Sequence, residues 1–174
     1  MKLLIIGFQR SGTTLLRRIL HSHPEVREIF HEHFLLKRCR TKLALHKYLM
    51  NYDIFPDADN WGEKVPFYPS ARGYSMVRYC ETWNNYFGSD GRIIHIVRPP
   101  VDTAFSNMRK FKGQKFQSAI RIYKKIMPIV TSKLLNDPLV YTFKYEDLLI
   151  NPDKIVPEIF SFCHLDRKVD FRKQ

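Results

Sequence analysis

Cysteine is scarce in this 174-residue chain, and what there is does not cluster. Cys39, Cys80 and Cys163 stand far apart, with no CxxC spacing and no histidine pattern beside them, which argues against a disulfide framework or a thiolate zinc site. A reducing, cytoplasmic setting is therefore expected. Long apolar runs are missing as well. The run Leu3-Leu4-Ile5-Ile6 is cut short by Arg10 with no small-residue cleavage site after it, too little for a signal peptide, and no uncharged stretch is long enough to span a bilayer. Without a repeat, a low-complexity tract or a Gly/Ser linker to divide it, the sequence over residues 1–174 reads as a single domain. Acidic residues are outnumbered, 17 Asp and Glu against 29 Lys and Arg, and the formal charge of +12 points to anionic ligands or partners.

What is present begins with Gly7-Phe8-Gln9-Arg10-Ser11-Gly12-Thr13-Thr14, set between the apolar run and the periodic stretch Leu15 to Leu20. It reads as strand, phosphate loop and helix. Two glycines let the backbone bend round an anion, and the following helix offers free N–H groups and its positive dipole end. The spacing is that of the G-x4-G-K-[ST] loop, with Thr13 in the lysine position.

Further along, strands are expected over about Lys2 to Phe8, Glu25 to Phe30, Arg92 to Val97 and Pro138 to Phe143. Helices are expected to His21, over 34–50, from about Ala71 to Phe87, from Pro100, over about Lys115 to Leu135 and from Asn151-Pro152. Residues 51–70, with Pro56, Gly62, Pro66 and Pro69, read as a loop. The alternation implies an α/β fold, three layers of the P-loop type with a mainly parallel central sheet flanked by helices. Basic residues of 34–50 lack interleaved aromatics, which disfavours nucleic acid as the partner.

Two residue types that a nucleotide kinase needs are absent. The loop has no lysine, and the strand ending at Val97 runs into Arg98 where a magnesium-holding acid would stand. A cation in that position suits direct phosphate binding.

On these residues the chain resembles the PAPS-dependent sulfotransferases, whose donor is 3′-phosphoadenosine 5′-phosphosulfate. GFQRSGTTLL from Gly7 to Leu16 is similar to the family's 5′-phosphosulfate loop, and Arg98 to Ser106 (RPPVDTAFS) is similar to its 3′-phosphate motif. Tyr145-Glu146-Asp147-Leu148 followed by Asn151-Pro152 resembles a third landmark. The resemblance implies that Arg10, Ser11, Gly12, Thr13 and Thr14 hold the 5′-phosphosulfate and that Arg98 and Ser106 grip the 3′-phosphate. It further implies PAP as the product, no metal, and sulfuryl transfer to a hydroxyl or amine acceptor, with the positive charge favouring an acidic one.

For catalysis the resemblance offers Arg10, from the loop, and Lys64, from WGEKVP, which is similar to a lysine-proline segment of the tyrosylprotein sulfotransferases. It also puts an acid or histidine after the second strand, where His31-Glu32-His33 stands. Glu32 is favoured as general base, with Glu28, His31 and His33 open as alternatives. Leu15 occupies the position of an adenine-stacking aromatic; Tyr145 is a substitute, although a core tyrosine is the more ordinary reading. Two other functions fit the loop: a P-loop kinase with an atypical lysine position, and a non-catalytic nucleotide- or polyanion-binding protein.

Overall fold

The computed structural model describes residues 1–67, 73–110, 113 and 115–171. Strand β1 (Lys2–Phe8) is buried along its whole length, with Leu3 to Ile6 inaccessible to solvent. That burial explains its unalternating apolar sequence, and each such side chain contributes about 1.5–3 kcal/mol. Helix α1 (Thr13–His21) follows the loop and β2 (Val26–His31) follows α1.

The stretch expected as one helix over 34–50 is two. Helix α2 (Leu35–Arg38) is a single turn, and α3 (Lys42–Met50) starts afresh where the Thr41 hydroxyl accepts from the Ala44 N–H at 3.1 Å. An N-cap threonine supplies its own start, which the hydrophobic pattern did not register.

Residues Asn60–Phe67, expected within a loop, form strand β3. Gly62, Glu63, Lys64 and Pro66 disguised it. Pro66 is tolerated because the ladder to β2 ends at the pair His31–Lys64, so the N–H that proline lacks has no strand to serve on that side.

Helix α4 (Gly73–Phe87) follows; its expected start at Ala71 lies outside the described residues. After a 3₁₀ turn come β4 (Gly91–Val97), α5 (Pro100–Lys110), α6 (Phe116–Leu134), β5 (Val140–Lys144), α7 (Tyr145–Ile150) and α8 (Pro152–Phe162).

The sheet is parallel throughout, in the order β2-β3-β1-β4-β5. One face packs around Trp61, Trp83 and Val130, the other around Leu16, Leu20, Val156 and Phe160, giving two helical layers with the sheet between them. All five carboxyl ends point to one rim, where ligands of open α/β sheets bind. Among the described residues no helix is long and apolar enough to cross a membrane.

Candidate active site

The loop after β1 is tied down on both flanks. Gln9 N–H donates to the Phe67 carbonyl at the end of β3 (2.9 Å), and the Asn107 amide, fully buried on α5, donates to the Gln9 carbonyl (3.3 Å). A Cβ on Gly7 would collide with Ser11 Oγ and the Ile96 carbonyl, and Gly12 sits at φ 100° with the Tyr145 ring against its Cα. Gly12 caps α1 without any side-chain hydrogen bond, and the first turn contains no acidic residue. The free N–H groups there face the rim, an arrangement that receives an anion.

A cleft of about 230 Å³ opens over this loop. Arg10, Gly12, Thr13 and Thr14 line it from β1–α1, His31 and Glu32 from β2, Lys64 and Pro66 from β3, Arg98 and Ser106 from β4–α5, and Tyr145 from α7. Ser11 is fully buried beneath the loop. The candidate residues, spread over nearly one hundred positions, therefore meet at one place, each strand end supplying part of the wall. A second cleft, lined by Asp102, Phe105 and Arg109, adjoins the first and shares Arg98 and Ser106 with it.

Arg98 joins the two clefts. Its Nη1 donates to the Arg10 carbonyl at 3.1 Å, its guanidinium lies 4.7 Å from the Tyr145 ring centroid, and its own carbonyl accepts from the Tyr123 hydroxyl at 2.5 Å. Its Nε is buried with no hydrogen-bond partner among the described residues, a donor that an incoming anion would satisfy. Arg10 Nε donates to Ser106 Oγ at 3.1 Å, so this side chain points to the Arg98/Ser106 end and not toward β3.

Lys64, expected within a loop, lies on β3 and is 2% exposed. Its ammonium donates to Glu32 Oε1 at 2.5 Å and to His31 Nε2 at 3.1 Å. Burial pulls the Lys64 pKa below the usual lysine range, with the bond to Glu32 pulling the other way. Burial and the Lys64 charge lower the His31 pKa, which keeps its imidazole neutral and able to accept that bond near neutral pH.

The other two base candidates lie elsewhere. Glu28 accepts from Arg17 at 3.2 Å and from the Ile29 N–H at 2.8 Å. His33 bonds the Tyr48 hydroxyl through Nδ1 at 2.7 Å and packs on Phe30. Neither lines the cleft.

Two residues, Asn107 and Lys110, escaped the sequence reading, and a third was read only in part. Tyr145, offered as a substitute adenine contact but more ordinarily read as a core tyrosine, is a wall of the cleft; its contacts with Gly12 and Arg98 come from two distant segments. Asn107 shares the buried side of α5 with Thr103 and Ala104, and an amide at such a position signals a backbone to be held. Lys110 also lines the cleft, one helical turn beyond Ser106, a spacing legible once Ser106 is chosen.

Residues 3–69, from β1 into the segment after β3, match the family model described as the sulfotransferase family. The fold resembles that of the sulfotransferase domain from the curacin biosynthetic pathway (TM-score 0.70, 15% identity, 94% of this chain and 74% of that one). It also resembles a mouse sulfotransferase complexed with PAP (TM-score 0.66, 14% identity, 99% and 61%). A third similar fold is retinol dehydratase in complex with androsterone and PAP (TM-score 0.55, 14% identity, 98% and 61%). The chain thus spans about three fifths of the latter two proteins. No curated protein sequence matches it. The family match covers the segment that holds the loop after β1, and the three solved structures share the fold of this chain.

Proposed function

We propose that this chain is a P-loop sulfotransferase that moves the sulfuryl group of PAPS to a hydroxyl or amine acceptor by metal-independent in-line displacement. The observation that carries the reading is the pair of buried Lys64 with half-buried Glu32 at 2.5 Å, in the same cleft as the uncapped end of α1. PAP in the mouse sulfotransferase, and PAP with androsterone, an alcohol, in retinol dehydratase, support the donor and the acceptor class.

The residues fit such a donor. The open N-terminus of α1, with Ser11, Gly12, Thr13 and Thr14, receives the 5′-phosphosulfate, and Arg98 with Ser106 receives the 3′-phosphate, where the unpartnered Arg98 Nε supports an anion. Arg10 spans the two ends, its backbone in the loop and its Nε on Ser106. PAPS, when bound, supplies an activated sulfuryl group, whose sulfur bonds the acceptor oxygen as its bond to the phosphate oxygen breaks. Glu32 takes the proton of the acceptor; a carboxylate offers several lone pairs, so its bond from Lys64 does not exhaust its accepting capacity. The Lys64 ammonium donates to the oxygen that gains charge; Lys64 stands beside Glu32, whereas the Arg10 side chain is turned to the Ser106 end. Three unpaired, buried thiols fit a reducing cytoplasm.

The test pairs calorimetric titration with PAP against turnover of PAPS with a panel of alcohols, acidic glycans and amines. Glu32→Gln is expected to bind PAP as the wild type does and to lose about 10²- to 10⁴-fold in kcat. Magnesium-dependent ATP turnover without PAP binding would establish the kinase reading instead. PAP binding with no acceptor ever sulfated would favour the binding protein.

A further inference from the structure

Glu63 immediately precedes Lys64 on β3, and the pleat sends the two side chains to opposite faces of the sheet. Lys64 enters the cleft. Glu63 is fully buried on the other face, where Oε2 accepts from the Tyr79 hydroxyl at 2.7 Å and from the Leu35 N–H at 3.0 Å. The Tyr79 oxygen in turn accepts from the Leu36 N–H at 3.3 Å. Among the described residues no cation lies within ion-pair distance of Glu63. A carboxyl group in such a place is costly, and an apolar side chain would pack there at lower cost. What it supplies is hydrogen-bond acceptance at the N–H that opens α2.

That N–H lies just past Glu32. The turn between them holds two non-glycine residues in the left-handed region, Glu32 at φ 61° and Phe34 at φ 53°. Such a backbone persists only when its surroundings hold it. At its start the Glu32 N–H donates to the Lys64 carbonyl at 2.9 Å; at its end Leu35 and Leu36 are held by Glu63 and Tyr79.

We propose that Glu63 is a positioning residue: by fixing the backbone of 32–36 from behind the sheet, it keeps the Glu32 carboxylate against Lys64. Two adjacent residues of one strand thus hold the same turn from both faces, one by its side chain's contact with Glu32 and one by its backbone anchor. The inference rests on the roles given above to Glu32 and Lys64. Burial raises the Glu63 pKa to about 7, opposed by the bonds from Tyr79 and Leu35 and by the Arg38 charge, and either protonation state leaves an oxygen for the Leu35 N–H.

The test compares Glu63→Gln, which keeps an acceptor, with Glu63→Leu, which has none; both are neutral, so charge is held constant. In Glu63→Leu the Leu35 and Leu36 amides are expected to exchange about tenfold faster or more. The Lys64 titration, followed by NMR of labelled lysine side chains, should move further down as Glu32 drifts away, with PAP affinity unchanged. With an acceptor in hand, kcat should fall about tenfold or more at constant KM for PAPS. Glu63→Gln should restore each readout to near the wild-type value. Should Glu63→Leu not fold, Tyr79→Phe, which removes the hydroxyl between Glu63 and Leu36, is expected to shift the same amides and the same titration to a smaller extent. Wild-type exchange and Lys64 titration in Glu63→Leu, or in Tyr79→Phe where that variant stands in for it, would overturn the proposal. So would a Glu63→Gln variant as impaired as Glu63→Leu. Absence of sulfated product from the wild-type protein would count against the sulfotransferase reading alone, because the NMR readouts decide the role of Glu63 without turnover.

Discussion

The guanidinium of Arg98 donates to the backbone carbonyl of Arg10 across 3.1 Å, so the residue after β4 braces the loop after β1. Removing it takes away the proposed ligand of the 3′-phosphate and a support of the loop together. Arg98→Ala is expected to weaken PAP binding by about 1.5–3 kcal/mol, the range for hydrogen bonds to a charged group. Calorimetry with PAP and with adenosine 5′-phosphosulfate, which lacks the 3′-phosphate, checks this: the loss should be larger for PAP.

In its proposed role Lys64 is expected to set an alkaline limit. Burial lowers its pKa from the usual lysine value, so the cation is lost at a lower pH than that of an exposed lysine. A lowered pKa means that the neutral form gains as pH rises, and a mechanism needing the ammonium fails on that side. The kcat profile should fall in the alkaline range below the ordinary lysine pKa, and Lys64→Met should lose about 10²- to 10³-fold in kcat without that limb. An alkaline limb that survives in Lys64→Met would assign it to another group.

Gly12 is irreplaceable for two separate reasons, its φ of 100° and the Tyr145 ring packed on it. Gly12→Ala should cost about 1–3 kcal/mol in stability and lose PAP binding, read by thermal unfolding with and without PAP. A variant that still gains stability from PAP as the wild type does would contradict the loop's role.

Glu63 makes stability depend on pH. Its folded pKa, raised to about 7 by burial, exceeds that of an unfolded glutamate. Its favourable contribution is therefore complete below the unfolded value and lost as pH rises through 7. Urea unfolding of Glu63→Gln should lack the part of that decline that falls between about pH 4 and 7, so the variant gains on the wild type across this window. Parallel pH curves for the two proteins would contradict the assignment.

The legible parts of the chain were those governed by neighbours in sequence. β1 was plain from its apolar run, the loop from its glycines and hydroxyls, and α1 from its period of buried Leu16 and Leu20. The Arg98-to-Ser106 spacing spans one loop and two helical turns, short enough to read directly. β3 was missed because its Glu63, Lys64 and Pro66 are abnormal for a buried strand, and they are abnormal because they line the cleft or hold its turn. The break between α2 and α3 was missed because apolar periodicity outweighed the Thr41 cap.

By itself the sequence determined an α/β chain with a glycine- and hydroxyl-rich loop between its first strand and first helix and a cation at the end of β4, since each follows from local conformation and residue chemistry. Only the tertiary structure decided that Asn60–Phe67 inserts between β2 and β1, because strand pairing joins residues some thirty to sixty positions apart with no local mark of the partner. That insertion buries Lys64, brings it to Glu32 and His31, and leaves Glu28 and His33 outside the cleft.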